Sequence, residues 1–338
     1  MPAIPVFDGH NDLVSRLYLD SSIDFLSDSA GLHISRPALD AGGMFGGLFA
    51  MFVPPRDQRH TADGVAPPVS LARARSVVTQ QLATLLRLVE RPEARMRVCR
   101  TTTEITNAHR DGVTAVVVHL EGAEAIGPGL EELDVLYAAG LRSLGPVWSR
   151  HNRFGRGVPI YRGGTPDTGA GLTAAGRRLV RRCFDLGVMV DLSHITEAGF
   201  WDVARLDQGP LVASHSNAWE LCNSPRNLTD EQLRAIRRSR GIVGLNLATI
   251  FLRRDRQMRE DTPLSVVVDH LRYLADRVGV EHLALGSDFD GAQVPAEIGS
   301  AAGLPRLFEA LQRAGFTREE CEGVAWRNWK ALLSRVWR

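Results

Sequence analysis

Lysine is nearly absent from this chain. Of 40 basic residues, Lys330 is the only one that is not arginine. That excludes a carbamylated lysine as a bridge between metal ions in a barrel, short of the C-terminus folding back to supply one. Cysteine is scarce too. Cys99, Cys183, Cys222 and Cys321 form no C-x-x-C pair and no closely spaced framework, so small buried thiols in a reducing compartment are expected. The net charge of +1 gives no general attraction to nucleic acid or an anionic membrane. The most apolar stretch, 42–55, is too short and glycine-rich to span a bilayer. The segment 326–338 is amphipathic and basic, not an anchor tail. A cleaved leader is not expected, because candidate chemistry begins at position 10 and leaves no room for its apolar core. A soluble, cytoplasmic protein with neither nucleic-acid nor membrane partners is the expectation. With 44% apolar and 23% charged residues, the chain can bury a large core.

Five side chains suited to holding metal sit at the ends of strand-like runs. His10 and Asp12 follow the apolar Ile4-Pro5-Val6, and in an extended chain residues two apart share a face and can reach one ion. Glu121 ends Ala115-Val116-Val117-Val118-His119-Leu120-Glu121. His194 ends the run from Gly187, and His215 ends Leu211-Val212-Ala213-Ser214-His215. Imidazoles mixed with carboxylates suit zinc or a similar divalent ion. Any one of these residues alone is better read as a hydrogen-bonded core group. Five at strand ends would be costly to bury unless paired or metal-bound. The pattern points to a binuclear metallohydrolase.

Eight strand-like runs can be traced, at 4–10, 47–53, 114–121, 141–148, 187–194, 211–215, 241–247 and 282–288. Helical periodicity lies between them, at 71–90, 130–139, 174–186, 198–206, 230–238 and 263–278. Such alternation implies parallel strands with crossover helices, and eight units close a (β/α)8 TIM barrel of α/β class. Long insertions at 11–46, 54–70 and 149–172 follow strands 1, 2 and 4, on the face where the candidate ligands emerge, and are expected to shape a substrate pocket. The chain 1–338 is expected to be one domain closed by a C-terminal helix at about 317–336.

Other polar residues are weighed against simpler roles. His33, His60, His109, His270 and His282 are expected to be surface or structural. His119 shares a face with Glu121 and is expected to be a satisfied interior histidine. Asp288 ends the last strand run and is placed for proton transfer, whereas Asp290-Gly291 reads as a turn. Arg226 lies in the loop after His215, where a guanidinium could grip a substrate carboxylate.

Taken together, Asp8-Gly9-His10-Asn11-Asp12, Leu120-Glu121-Gly122, Asp191-Leu192-Ser193-His194, Ser214-His215-Ser216, Ser224-Pro225-Arg226-Asn227 and Gly286-Ser287-Asp288-Phe289-Asp290-Gly291 resemble the membrane (renal) dipeptidase family of zinc peptidases. The motifs run in family order across nearly the whole chain. The resemblance implies that His10 and Asp12 hold one Zn2+, that His194 and His215 hold a second, and that Glu121 bridges them. It implies a water activated between two ions, Arg226 on the dipeptide carboxylate, and Asp288 on the substrate amine and in proton transfer. Glu121 and Asp288 would thus be the catalytic pair. Many members carry a Thr-His-x-x-Asn type motif after strand 4, where this chain reads Val147-Trp148-Ser149-Arg150-His151-Asn152. His151 then serves as the substrate contact from a shifted position, or the contact is altered. Hydrolysis of an N-acyl amino acid or a β-lactam, and a non-catalytic metal-binding relative, are the alternatives, and a homodimer is left open.

Overall fold

The computed structural model describes residues 4–28, 31–56 and 60–337. Its strands are β1 (Val6–Asn11), β2 (Met44–Met51), β3 (Met96–Val98), β4 (Thr114–Glu121), β5 (Leu141–Gly145), β6 (Met189–Val190), β7 (Val212–Ala213), β8 (Ile242–Leu245) and β9 (Leu283–Leu285). Every ladder between them is parallel. They run in two arcs, β1-β2-β4-β5-β6 and β7-β8-β9. Parallel bridges join the arcs at Asp191–Val212 and Asn11–Phe289, where Leu192 N donates to Val212 O at 2.7 Å and Asp12 N to Phe289 O at 2.8 Å. Eight of the nine strands therefore close a TIM barrel, as the alternating sequence pattern predicts. The ninth, β3, pairs only with the first residues of β4 and is too short to show in the sequence.

The helices are α1 (Leu13–Leu19), α2 (Arg36–Gly42), α3 (Leu71–Glu90), α4 (Thr102–Arg110), α5 (Glu131–Ala139), α6 (Ala174–Leu186), α7 (Glu197–Ala204), α8 (Asp230–Arg238), α9 (Thr249–Leu252), α10 (Leu264–Val278), α11 (Leu304–Arg313), α12 (Arg318–Glu322) and α13 (Asn328–Val336). Many start at a hydroxyl that accepts a free backbone N–H: Ser70, Thr101, Thr173, Thr196, Thr229 and Thr317. Thr229 with Gln232 and Thr317 with Glu320 form full capping boxes, which stabilise a helix start by about 1 kcal/mol. The expected C-terminal helix is α12 and α13 joined through a π-helical turn at Gly323–Arg327.

Strand alternation divides the apolar residues. Val116, Val118, Leu120, Val190, Val243, Leu245 and Leu285 belong to a core shared with the helices. Leu48, Ala115, Val117, Met189, Val212, Ile242 and Ala284 form a second cluster around the fully buried Trp329 of α13. Trp329 donates its indole N–H to Leu285 O at 2.9 Å and seals the barrel opposite the site. A side chain at Gly9 would come within 2.3 Å of its ring, so glycine there is needed for the close approach.

Candidate active site

The runs at 187–194 and 282–288 leave the ladder early, after Val190 and Leu285. The released ends turn, with positive φ of 66° at His194 and 60° at Asp288. Such backbone is costly for residues other than glycine and is often kept where a side chain must be aimed. The barrel thereby gathers all five candidate ligands. Glu121 Oε1 lies 3.0 Å from His194 Nε2, 3.4 Å from His215 Nε2 and 3.7 Å from His10 Nε2. His194 and His215 face each other with 3.1 Å between their Nε2 atoms. His10 Nε2 is 3.4 Å from Asp12 Oδ2.

Hydrogen bonds behind the ligands set which ring nitrogen is free. Asp191 accepts from the amides of Ser193 and Ser214 at 3.1 and 2.8 Å. It also accepts from the Ser214 hydroxyl at 2.5 Å. Having donated its proton, Ser214 Oγ can only accept from His215 Nδ1, 2.8 Å away. His215 therefore carries its proton on Nδ1 and presents a bare Nε2 lone pair to the centre. Ser149 Oγ stands 2.8 Å from Nδ1 of His194. His119 is interior as expected but only half satisfied: Nδ1 contacts Ser143 Oγ at 2.8 Å, whereas Nε2, 3.7 Å from Asp191, is buried without a hydrogen-bond partner.

Electrostatics show what the cluster lacks. Burial raises Glu121 well above the usual carboxylate range and also raises Asp288. Burial lowers His194 and His215, reinforced by the cationic groups of Arg226 and His10. His10 alone moves up, to about 10: burial opposes its charge, but Glu121, Asp12 and Asp288 outweigh it. The donor set fits divalent ions. Nitrogen–oxygen separations of 3.0–3.7 Å bracket the edge of a tetrahedron with zinc-like bonds, roughly 3.3 Å. Asp12 Oδ1 is buried without a partner. His10, Glu121 and His215 come close enough to share one ion, and so do His10, Asp12 and Asp288.

A cavity of about 570 Å³ opens over these residues, with Asp12, Glu121, His194 and Asp288 at its base. Its walls come from the long insertions, including His60, Gly64, Ser149, Ile160 and Tyr161, and from Phe251 and Met258. Asp288 is held through Oδ2 by Asn246 Nδ2 at 2.9 Å. Gly291 passes so close that a side chain there would meet Asp12 Oδ2 at 2.0 Å and Asp288 Oδ1 at 2.7 Å. Arg226 is buried beside the wall, its guanidinium carbon 5.2 Å from the Phe251 ring. It donates to His215 O at 3.0 Å and Ser216 Oγ at 3.4 Å and keeps Nε without a partner.

The structure adds to the sequence reading at three residues. His151 turns away from the wall and pairs with Asp63 at 2.5 Å, because Trp148 takes the wall position three residues earlier. His60 is exposed, as expected, and also stands in the wall edge-on to Tyr161, with ring centroids 5.4 Å apart. Asp290 is more than a turn residue: it is half-buried and accepts the amides of His33 and Ile34 at 2.7 and 3.1 Å. Only its pairing with residues some 256 positions away, unseen in sequence, distinguishes it.

A parallel barrel with carboxylates and imidazoles converging at its strand ends defines a metal-dependent hydrolase of the amidohydrolase type. The chain matches the family model for membrane dipeptidase (peptidase family M19) over residues 1–338 and belongs to that family. It is 45% identical to dipeptidase AC, an M19 metallopeptidase, with a TM-score of 0.94 and 99% of each chain covered. It is 44% identical to a metallopeptidase from Rhodobacter sphaeroides liganded with a phosphinate mimic of the dipeptide L-Ala-D-Ala, with a TM-score of 0.94 and 99% and 100% of the two chains covered. An uncharacterized protein in the pqqA 5' region of Klebsiella pneumoniae is 47% identical over 261 residues, 77% of this chain and 96% of that one. The protein is a metallo-dipeptidase, and its activity is metal-dependent. Among the described residues no helix is long and apolar enough to cross a membrane.

Proposed function

We propose that the chain hydrolyses dipeptides, L,D as well as L,L, at a centre of two Zn2+ ions. The observation that carries this is Glu121 Oε1 standing within 3.7 Å of three imidazole nitrogens. His10 and Asp12 would hold one ion, His194 and His215 the other, with Glu121 common to both. When bound, the ions supply Lewis acidity and bring a water's pKa toward neutrality.

The remaining work falls to the chain itself. Asp288 has one oxygen tied to Asn246, and its other oxygen would receive the proton of the attacking water and return it to the leaving amine. Its raised pKa suits a group that must hold that proton briefly near neutral pH. The same carboxylate can hold the substrate ammonium. Arg226, with an unspent Nε, offers the C-terminal carboxylate a charge-assisted partner beneath Phe251. Trp148, Ile160, Tyr161, Phe251 and Met258 make an apolar chamber that excludes water and receives small side chains. The Rhodobacter sphaeroides relative, with its L-Ala-D-Ala mimic, supports the L,D substrates.

The test is a panel of L,L- and L,D-dipeptides, their C-terminal amides, N-acyl amino acids and a β-lactam, with metal content measured on the same sample. Dipeptides should be cleaved best, with about two zinc ions per chain. Arg226→Ala should lose roughly tenfold to several hundredfold in kcat/KM on dipeptides and little on the amides. Equal wild-type rates on a dipeptide and its amide would exclude the carboxylate role.

A further inference from the structure

Next to the catalytic cavity lies a second one, of about 300 Å³, lined by Arg56, Arg73, Arg150 and Ser70 and, among the described residues, by no carboxylate. Arg150 is the informative residue. Its side chain is only 1% exposed. Nε donates to Pro67 O at 2.8 Å and Nη1 to Val53 O at 2.9 Å. Nη2 is buried with no partner. Arg73 repeats the pattern, giving Nη2 to Pro54 O at 3.0 Å and leaving Nε buried and unpaired. The cavity also meets the start of α3, where the Ser70 hydroxyl accepts from Arg73 N at 3.3 Å. That cap satisfies one of the helix's free amides, and the 20-residue helix adds a positive end.

Charge counting narrows the ligand. Glu124, 3.7 Å from Arg150 Nη1, offsets one of the three guanidinium groups. Arg56 and Arg73 pair with no carboxylate among the described residues. Two positive charges are left, with planar N–H forks that match tetrahedral oxyanions. We propose that this cavity binds a phosphate-type dianion, either inorganic phosphate or the phosphate of a small monoester. It abuts the catalytic wall: Trp148 and Ser149 line the main cavity, and Arg150 follows them, its guanidinium 5.2 Å from the Trp148 ring. The inference uses no metal ligand and does not depend on which peptide is cleaved.

The test is equilibrium dialysis of labelled phosphate against the metal-loaded enzyme, comparing wild type with Arg56→Ala/Arg73→Ala. Phosphate taken up by the metals is common to both proteins and cancels. Wild type should bind one further phosphate per chain, weakened roughly tenfold to a hundredfold in the double variant. Arg73→Lys, which keeps the charge but loses the fork, should fall between them. Unchanged Tm and metal content would show that the variants fold. Glycerol phosphate that displaces the label better than unlabelled phosphate identifies a monoester site, and the reverse identifies free phosphate. Equal binding by wild type and double variant, or displacement by acetate as good as by phosphate, would overturn the proposal.

Discussion

At the scale of single residues, the site depends on atoms one bond removed from the ligands. Ser214 gives its proton to Asp191 and takes that of His215, so it holds the imidazole in the tautomer a cation needs. Ser214→Ala should weaken zinc binding about 10–100-fold, since partners behind a ligand typically contribute that much. Competition with a chromophoric chelator reads it directly, and an unchanged affinity would reduce the relay to packing. Asp288 poses a sharper question. It stands in a ligand group with His10 and Asp12, yet its hydrogen bond to Asn246 and raised pKa suit proton transfer. Asp288→Asn should lose about 10²–10⁴ in kcat while keeping both metals. Loss of one metal from that variant would make Asp288 a ligand instead.

Elements settle how firmly those residues are held. Helix α10 carries His270, whose Nε2 donates to Leu252 O at 2.9 Å and whose Nδ1 accepts from Ala218 N at 3.2 Å. It thus ties α9 and the loop after β7 to the barrel. Protonation would cost the bond from Ala218 N, because Nδ1 can accept only in the neutral ring, and burial lowers its pKa from 6.5 to about 4. The unfolded chain therefore binds the proton first on acidification, and stability falls as pH drops from about 6.5 to about 4. His270→Gln should cost stability near pH 7, and that deficit should shrink toward pH 4 as the wild type loses its advantage. Urea unfolding at several pH values measures this; a deficit constant with pH would remove the histidine from the account.

At the scale of the molecule, the crowded carboxylates predict that metal binding and stability are coupled. Without a cation, Asp12, Glu121 and Asp288 crowd one another in the interior, and His10 keeps a proton, its pKa near 10. Binding of ions must expel that proton, so uptake should release acid near neutral pH and tighten as pH rises. Chelation should lower Tm by on the order of 5 °C or more, recovered by adding zinc back. Calorimetry in buffers of different ionisation heat counts the released protons, and an unchanged Tm would mean that the barrel tolerates the bare carboxylates unaided.

The residues by themselves determined the barrel and pointed to the carboxylates and imidazoles that meet at its strand ends. Alternating β and α periodicity allows few closures, and ligands at strand ends must converge once the barrel shuts. They also marked the insertions that build the cavity wall. Tertiary structure alone decided which way side chains point after the strands end. Trp148 and His151 are three residues apart, and only the turn beyond β5 puts the ring in the wall and the imidazole on Asp63. His60 and Asp290 gain their places from partners about 100 and 256 positions away. The unpaired nitrogens of Arg73 and Arg150 are likewise invisible among 38 other basic residues. Short-range pattern reports periodicity; burial and long-range pairing exist only once the chain has closed on itself.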